Sequence, residues 1–215
     1  MLRGPRLRPK PLVLGGADAG AAAPLFRATQ PDVRVLGADD AAAELRALDD
    51  QGVVYTLVHV GPDDGHAGGS HERAHHRIAL ADAARLASRL QPRERPLVTC
   101  LAFAYKKGVP DDVTWLVDVR FLDNPYWVPE LRDLSGRDAA VAEYVLGQPA
   151  AVELADRLEA ALRWAIPLYQ RDRLLIAFGC TGGRHRSVVL AEEMARRLSA
   201  MEGIDVEFSA RDLGE

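Results

Sequence analysis

The chain has 215 residues, a formal net charge of −4 and 48% hydrophobic residues. This apolar content is enough to fill a core and excludes a disordered chain, while the acidic balance excludes a global basic surface for nonspecific nucleic-acid binding. The two cysteines, Cys100 and Cys180, are too few for a disulfide framework, and no zinc-ligand spacing accompanies them. We therefore expect a cytoplasmic protein without metal or cofactor. No apolar run approaches the ~18 residues of a membrane span, so no membrane association is expected.

Short β-branched runs alternate with Ala-, Leu- and Arg-rich amphipathic stretches along most of the chain. This alternation is typical of an α/β fold with a mostly parallel sheet flanked by helices. The predicted strands, in chain order, are Leu12–Leu14, Val33–Leu36, Val53–Val60, Leu97–Phe103, Trp115–Arg120, Leu174–Gly179 and Ile204–Phe208. The predicted helices are Ala41–Asp49, Glu72–Leu90, Asp138–Leu146, Val152–Leu168 and Ser187–Leu198.

The run LQPRERP, Leu90–Pro96, separates a predicted helix from the strand that begins at Leu97. Proline and charged residues in such a run are typical of a linker, so it predicts a boundary between residues 1–96 and residues 97–215. The second part holds 19 acidic and 14 basic side chains. Its acidic balance opposes contact with a nucleic-acid backbone.

The run GCTGGRHRS, Gly179–Ser187, lies between a buried strand and a helix, at the carboxyl end of a strand where α/β proteins bind ligands. Its glycines let backbone amides approach a ligand, and the first turn of the helix adds further free amides. This pattern predicts an anion-binding loop at a strand-to-helix turn. The expected phosphate-binding residues are Cys180, Thr181, Gly182, Gly183, Arg184, His185, Arg186 and Ser187.

The arginines and amides of this loop are expected to dominate affinity. A helix dipole contributes about 0.3 to 1 kcal/mol to an anion, whereas each hydrogen bond to a charged group contributes about 1.5 to 3 kcal/mol. The competing interpretation is a glycine-rich turn with a solvated basic cluster. It is disfavoured because cations are unfavourable at a helix N-terminus unless an anion balances them. Ser187 also fits an N-cap.

Cys180 and Arg186 are separated by five residues, which is also the spacing of cysteine-dependent phosphatases. In that interpretation the Cys180 thiolate attacks phosphorus, Arg186 holds the oxygens, and Asp118 or Asp123 protonates the leaving group. A histidine usually precedes the cysteine in those enzymes, whereas Gly179 does so here. The alternative is that Cys180 is a small buried side chain beside the anion.

From Val98 to Leu198 the chain resembles the C-terminal domain of the RapZ family of RNase adapter proteins. FAYKKGVPDD (Phe103–Asp112), VDVRFLDNPYWVPELRDLSGRD (Val117–Asp138) and GCTGGRHRSV (Gly179–Val188) match three blocks of that family in order. The resemblance implies a sensor that binds an amino-sugar phosphate, and a small RNA or a regulatory protein as a further partner. Departures from the family pattern occur at Asp123, Tyr126 and Ala210.

The same resemblance implies a sugar-binding set beside the phosphate loop. A carboxylate suits the amine of a hexosamine, and amide or ring groups suit its hydroxyls. The implied sugar-binding residues are Lys106, Asp118, Arg120, Asn124 and Tyr126. Two alternatives stay open, since Lys106 also fits a solvated turn and the NPYW run also fits structural packing. Asp118 and Arg120 alternate along a predicted strand, so they share a site or pair with each other.

The N-terminal region departs most from that family, which normally begins with a nucleotide-binding domain carrying GxxxxGK[ST]. Gly15–Ala22 reads GGADAGAA and lacks both the lysine and the Ser/Thr of that motif. We therefore interpret residues 1–96 as a degenerate α/β region without a functional P-loop. The leading hypothesis is a non-catalytic regulatory adapter or sensor that binds a phosphorylated metabolite, either an amino-sugar phosphate or a nucleotide sugar. The alternative is a cysteine-dependent phosphatase, and homo-oligomerisation is left open.

Overall fold

A computed structural model describes residues 10–30, 32–37, 39–63, 65 and 69–213. The chain divides into two compact units, one within Arg8–Arg93 and the other within Glu94–Glu215. Each contains a four-stranded sheet in which all the described pairings are parallel. The predicted α/β class is therefore confirmed, with two sheets. None of the described helices has the length and apolar character required to cross a membrane.

The N-terminal unit has the strand order β2-β1-β3-β4, with β1 at Leu12–Gly15, β2 at Val33–Val35, β3 at Thr56–Val60 and β4 at His76–Ile78. Its helices are α1 (Ala19–Arg27), α2 (Ala41–Asp50), α3 (Ser70–Arg73) and α4 (Ala83–Arg89). Alternate residues of the strands feed two cores. Leu12 and Leu14 pack with Phe26 of α1, whereas Val13 packs with Leu45 of α2.

The N-terminal unit differs from the sequence predictions in three places. The predicted helix Glu72–Leu90 is interrupted, because His76–Ile78 pairs with β3 and a 3₁₀ turn at Leu80–Asp82 precedes α4. Backbone pairing with a neighbouring strand here overrides the local helix propensity. Helix α1 was not predicted from the Gly- and Ala-rich run that it occupies, and Pro24 lies inside it. The strand predicted from Val53 begins only at Thr56.

The last residue of β1, Gly15, and the residue after it, Gly16, are glycines that serve local packing. A Cβ on Gly15 would collide with the Ser70 side chain, and one on Gly16 would collide with the carbonyl oxygen of Val60. Gly16 also has φ +96°, a conformation that favours glycine. Buried His59 contacts Ser70 with 2.9 Å between Nδ1 and Oγ. Side chains and backbone from the rest of the unit therefore occupy the space that these glycines leave.

The C-terminal unit has the strand order β6-β7-β5-β8. Its strands are β5 (Leu97–Ala104), β6 (Trp115–Asp118), β7 (Arg173–Cys180) and β8 (Asp205–Ala210), and its helices are α5 (Ala139–Leu146), α6 (Pro149–Tyr169) and α7 (Arg186–Leu198). Strand β6 ends at Asp118, two residues before the predicted end at Arg120. Its partner β7 turns into the loop after Cys180, so pairing cannot continue.

Alternate residues of the two central strands form one core with the helices of this unit. Val98, Cys100 and Ala102 of β5, together with Ile176 and Phe178 of β7, pack against α5, α6 and α7. Burial raises the pKa of the Cys100 thiol to about 12, so this cysteine is an inert core residue. Cys180 belongs to the same row of side chains and ends β7 on the helix-facing side.

Candidate functional site

The predicted anion-binding loop, Gly179–Ser187, includes the end of β7 and the start of α7, a helix of 13 residues that begins at Arg186. Its middle part, Thr181–His185, joins the two elements. Gly183 has φ +67°, and a Cβ there would lie 2.9 Å from the backbone nitrogen of Ala104 at the end of β5. The loop therefore passes too close to the neighbouring strand to carry a side chain at this position. The strand-to-helix turn predicted from the sequence is present.

Most backbone N–H groups of the loop have no acceptor among the described residues. Gly183 N donates to the Cys180 sulfur over 3.2 Å, but the N–H groups of Thr181, Gly182, Arg184 and His185 have no protein acceptor within the described part of the chain. The first turn of α7 presents its own free amides at the same place, as every helix N-terminus does. Such a cluster of free donors is suited to an anion.

Arg186 is the buried cation of the loop, with only 5% of its surface exposed. Its Nη1 donates to the carbonyl oxygens of Arg120 at 2.9 Å and Leu122 at 2.8 Å. Its Nε is buried and has no hydrogen-bond partner among the described residues. A buried charged donor without a partner is costly, and an anion beside it would remove that cost.

Cys180 lies at the base of the loop and is only 3% exposed. Its sulfur accepts the Gly183 N–H and lies 3.1 Å from Ser187 Oγ. Ser187 is itself fully buried. These contacts fix the thiol within the turn and leave little of it accessible.

Gly179, the residue before Cys180, is required by two aromatic rings. A Cβ at this position would lie 2.5 Å from the Phe103 ring and 2.5 Å from the Tyr105 ring. The Arg120 guanidinium in turn stacks over Tyr105, 3.9 Å from the ring centroid. The histidine found at this position in cysteine phosphatases cannot fit unless these rings move.

Asp118 and Arg120 pair with each other. Arg120 Nη2 lies 2.6 Å from Asp118 Oδ2, and the backbone N–H of Arg120 donates to the same carboxylate. The side-chain hydrogen bond from Arg120 is the main cause of a lowered pKa at Asp118, and the charge of Arg186 adds to it. The carboxylate is therefore ionised near neutral pH and lies within the electrostatic reach of Arg186.

The remaining sugar-binding candidates lie on exposed or half-buried turns. Lys106 is exposed in a 3₁₀ turn at Tyr105–Lys107 that follows β5. Asn124 Oδ1 accepts the backbone N–H of Tyr126 at 3.5 Å, at the start of a second 3₁₀ turn, Pro125–Trp127. The Tyr126 ring is exposed.

Arg184 and His185 contact the segment that precedes α5. The Arg184 guanidinium donates hydrogen bonds to the backbone carbonyl oxygens of Asp133 and Leu134, and these bonds attach this segment to the loop. Gly136 makes this contact possible, because a Cβ there would lie 2.6 Å from the His185 carbonyl oxygen. Burial lowers the pKa of His185, and its Nε2 has no partner among the described residues.

Two residues of the site were not among the predicted ones. Tyr105 carries the stacked Arg120 and packs against Gly179. Asp212 accepts the backbone N–H of Ala104 at 2.7 Å and lies beside Gly183. Tyr105 belongs to the run Phe103–Asp112 that resembles the family, whereas Asp212 lies outside the three matching runs. Only the fold shows what the two residues contact. Within the described ranges, no group of three or more His, Cys, Asp or Glu side chains could hold a metal ion.

The comparisons with known proteins concern the part of the chain that holds this loop. The profile of the RapZ C-terminal domain family matches residues 96–214. A protein of Clavibacter michiganensis, called a nucleotide-binding protein, is 48% identical over 120 residues, which are 54% of this chain and 41% of that protein. A protein of the same name from Acidothermus cellulolyticus is 50% identical over 123 residues, which are 54% of this chain and 40% of that protein.

A third relative, from Koribacter versatilis and also called a nucleotide-binding protein, is 44% identical over 128 residues. The aligned part is 58% of this chain and 41% of that protein. The chain thus matches about two fifths of the length of these curated relatives. Because the family profile matches more than half of the chain, the chain belongs to the family of the RapZ C-terminal domain.

Proposed function

We propose that this protein is a regulatory module that binds a phosphorylated metabolite at the loop Gly179–Ser187. The observation that carries the proposal is the buried Arg186, whose Nε has no hydrogen-bond partner among the described residues. The backbone N–H groups of the preceding loop, except that of Gly183, also have no acceptor there. Tetrahedral phosphate oxygens match both the guanidinium and the amides. The name shared by the relatives, nucleotide-binding protein, agrees with a phosphorylated ligand.

An amino-sugar phosphate or a nucleotide sugar is the ligand class that the neighbouring residues favour. The ionised Asp118 can attract an ammonium group, and Asn124 and Tyr126 offer hydrogen bonds to hydroxyls. The Asp118 carboxylate already binds Arg120, so an amine would share it with that guanidinium. Lys106 is exposed and adds positive charge for the phosphate.

A binding role agrees better with Cys180 than a phosphatase role does. Attack on phosphorus needs an accessible thiolate, whereas Cys180 is buried and its sulfur contacts Gly183 and Ser187. The packing of Tyr105 and Phe103 against Gly179 also occupies the place of the histidine that usually precedes the nucleophile.

Isothermal titration of the full chain with glucosamine 6-phosphate, glucose 6-phosphate and inorganic phosphate tests the proposal. We expect the phosphorylated sugars to bind, and R186K to weaken binding at least tenfold, because lysine lacks a second nitrogen for the phosphate. R196A is the matched control, because Arg196 is an exposed arginine of the same helix that pairs with Glu193.

Absence of heat with every phosphorylated sugar at millimolar concentration would contradict the proposal. Turnover of p-nitrophenyl phosphate that disappears in C180S would contradict it as well, because it would make the loop a catalytic one.

A further inference from the structure

Strand β8, Asp205–Ala210, lies at an edge of the C-terminal sheet, because it pairs with β5 alone among the described strands. Asp205 N donates to the carbonyl oxygen of Pro96, just before β5, at 2.8 Å. Backbone groups alternate in direction along a strand, so the odd-numbered residues of β8 direct theirs toward β5. The residues whose N–H and C=O groups point away from β5 are therefore Val206, Phe208 and Ala210.

These outward backbone groups have no hydrogen-bond partner among the residues that the structure describes. An edge with free N–H and C=O groups can pair with another extended segment. The side chains of Val206 and Phe208 also line a groove of about 540 Å³. Apolar side chains of α5 and α7, among them Ala142, Leu146 and Val189, line the same groove. A segment that pairs with β8 therefore directs every second side chain toward a mainly apolar groove.

The charges beside this edge favour a basic segment. Glu207 lies on the face of the sheet opposite to the groove, where it accepts the Thr99 hydroxyl at 2.7 Å. Glu192 of α7 lines the groove itself. Neither carboxylate forms an ion pair within the described part of the chain, whereas the neighbouring Glu193 is paired with Arg196. An unpaired carboxylate on each side of the edge attracts lysine or arginine side chains.

We propose that β8 and the adjoining groove form a docking site for an extended segment of another protein, in which apolar residues alternate with lysine or arginine. The backbone of that segment pairs with the outward groups of β8. Its apolar side chains enter the groove beside Val206 and Phe208, and its basic side chains lie beside Glu207. This site for a protein partner does not depend on the phosphate ligand proposed above.

Titration of the full chain with synthetic peptides tests this site. The probe is TRVKVRT with blocked ends, because its valines fall on one face of an extended chain and its basic residues on the other. The matched peptides are TEVDVET, which reverses the charges, and TRVKVRT methylated at every backbone nitrogen, which cannot donate to an edge. We expect TRVKVRT to bind about tenfold or more tighter than either. Hydrogen exchange followed by NMR should show protection of the Val206, Phe208 and Ala210 amides.

The variant E207K should weaken binding of TRVKVRT about fivefold or more and tighten binding of TEVDVET, because it reverses the charge opposite the peptide. E202K is the matched control, since Glu202 is exposed in the turn before β8 and the variant changes the net charge by the same amount. Its affinities should equal those of the unchanged protein. Circular dichroism spectra of both variants confirm that each is folded.

Equal affinity for the basic and acidic peptides, or no binding of any peptide, would overturn the proposal. Binding that leaves exchange at the Val206, Phe208 and Ala210 amides unchanged would also overturn it. So would protection of these amides in a dimer that forms without peptide, because a second copy would then cover the edge. Titration with glucosamine 6-phosphate tests the phosphate loop separately, so either site can fail while the other stands.

Discussion

Gly179 lies where two aromatic rings pack against the end of a central strand. Phe103 comes from the end of β5 and Tyr105 from the turn after it, and both rings approach the backbone of β7. Tyr105 then supports the Arg120 guanidinium. A single absent Cβ therefore leaves room for the ring on which Arg120, one of the predicted sugar-binding residues, is stacked.

We predict that G179A destabilises the C-terminal unit by about 1 to 3 kcal/mol, because its methyl group must displace two packed rings. The free energy of unfolding, measured in urea, checks this. G182A is the matched control in the same loop, since, apart from its chain neighbours, no described residue has an atom within 4 Å of the place that its Cβ would occupy. Equal stability of the two variants would contradict the packing described here.

The elements of the C-terminal unit follow their hydrophobic pattern, so the sequence predicts them well. Strands β5 and β7 alternate buried residues, and α7 has a continuous apolar face, so both patterns identify the loop between them. In the N-terminal unit, β4 is three residues long and, among the described strands, pairs with β3 alone. Its local pattern is that of a helix, and only a long-range partner makes it a strand.

In the candidate site, too, features formed by residues adjacent in sequence are predicted, whereas contacts between residues far apart in the chain are not. The glycines and basic residues of the loop can be recognised because they are adjacent in sequence. The hydrogen bonds from the Arg184 side chain to the Asp133 and Leu134 carbonyl oxygens join residues about fifty positions apart. The hydrogen bond from Ala104 N to Asp212 joins residues still farther apart in the chain. No local pattern encodes those contacts.

The last described residues are attached to the end of β5 by Asp212. Burial by itself would raise the pKa of Asp212, but hydrogen bonds from Arg211 and from Ala104 N outweigh it, and the pKa is lowered from 3.8. A lowered pKa means that the ionised carboxylate stabilises the folded state above pH 3.8, and that this contribution is lost as the pH falls through the lower value.

We therefore predict that D212N lowers the free energy of unfolding at pH 7, and that this difference shrinks as the pH falls below 3.8. Urea unfolding of both proteins at pH 7 and at about pH 3 measures it. D111N is the control, because Asp111 is exposed in a surface turn and its loss should change little at either pH. A difference that grows in acid would contradict the role assigned to Asp212.

At the scale of the whole molecule, each unit has its own hydrophobic core. One core contains residues of the C-terminal unit alone, from Val98 to Ile204, and two others contain residues of the N-terminal unit. The proposed phosphate loop, the segment at Asp133 and Leu134 that Arg184 contacts, and the Phe103 and Tyr105 rings all belong to the C-terminal unit. The hydrophobic core of that unit therefore contains no described residue of the other unit.

We predict that a fragment of residues 94–215 folds by itself and binds phosphorylated sugars with the affinity of the full chain. Its size is sufficient for a single core. A cooperative thermal transition and isothermal titration of the fragment check both parts. A fragment that folds but loses affinity would show that residues 8–93 contribute to the site.

Arg186 donates two hydrogen bonds to backbone carbonyl oxygens, and these restrict which residues can replace it at position 186. Lysine conserves the charge, but its single nitrogen cannot both reach the carbonyl oxygens of Arg120 and Leu122 and face an anion from the side of the buried Nε. An exchange of arginine for lysine is often neutral on a surface. Here lysine would weaken either the hydrogen bonds to the Arg120 and Leu122 carbonyl oxygens or the contact with the proposed anion.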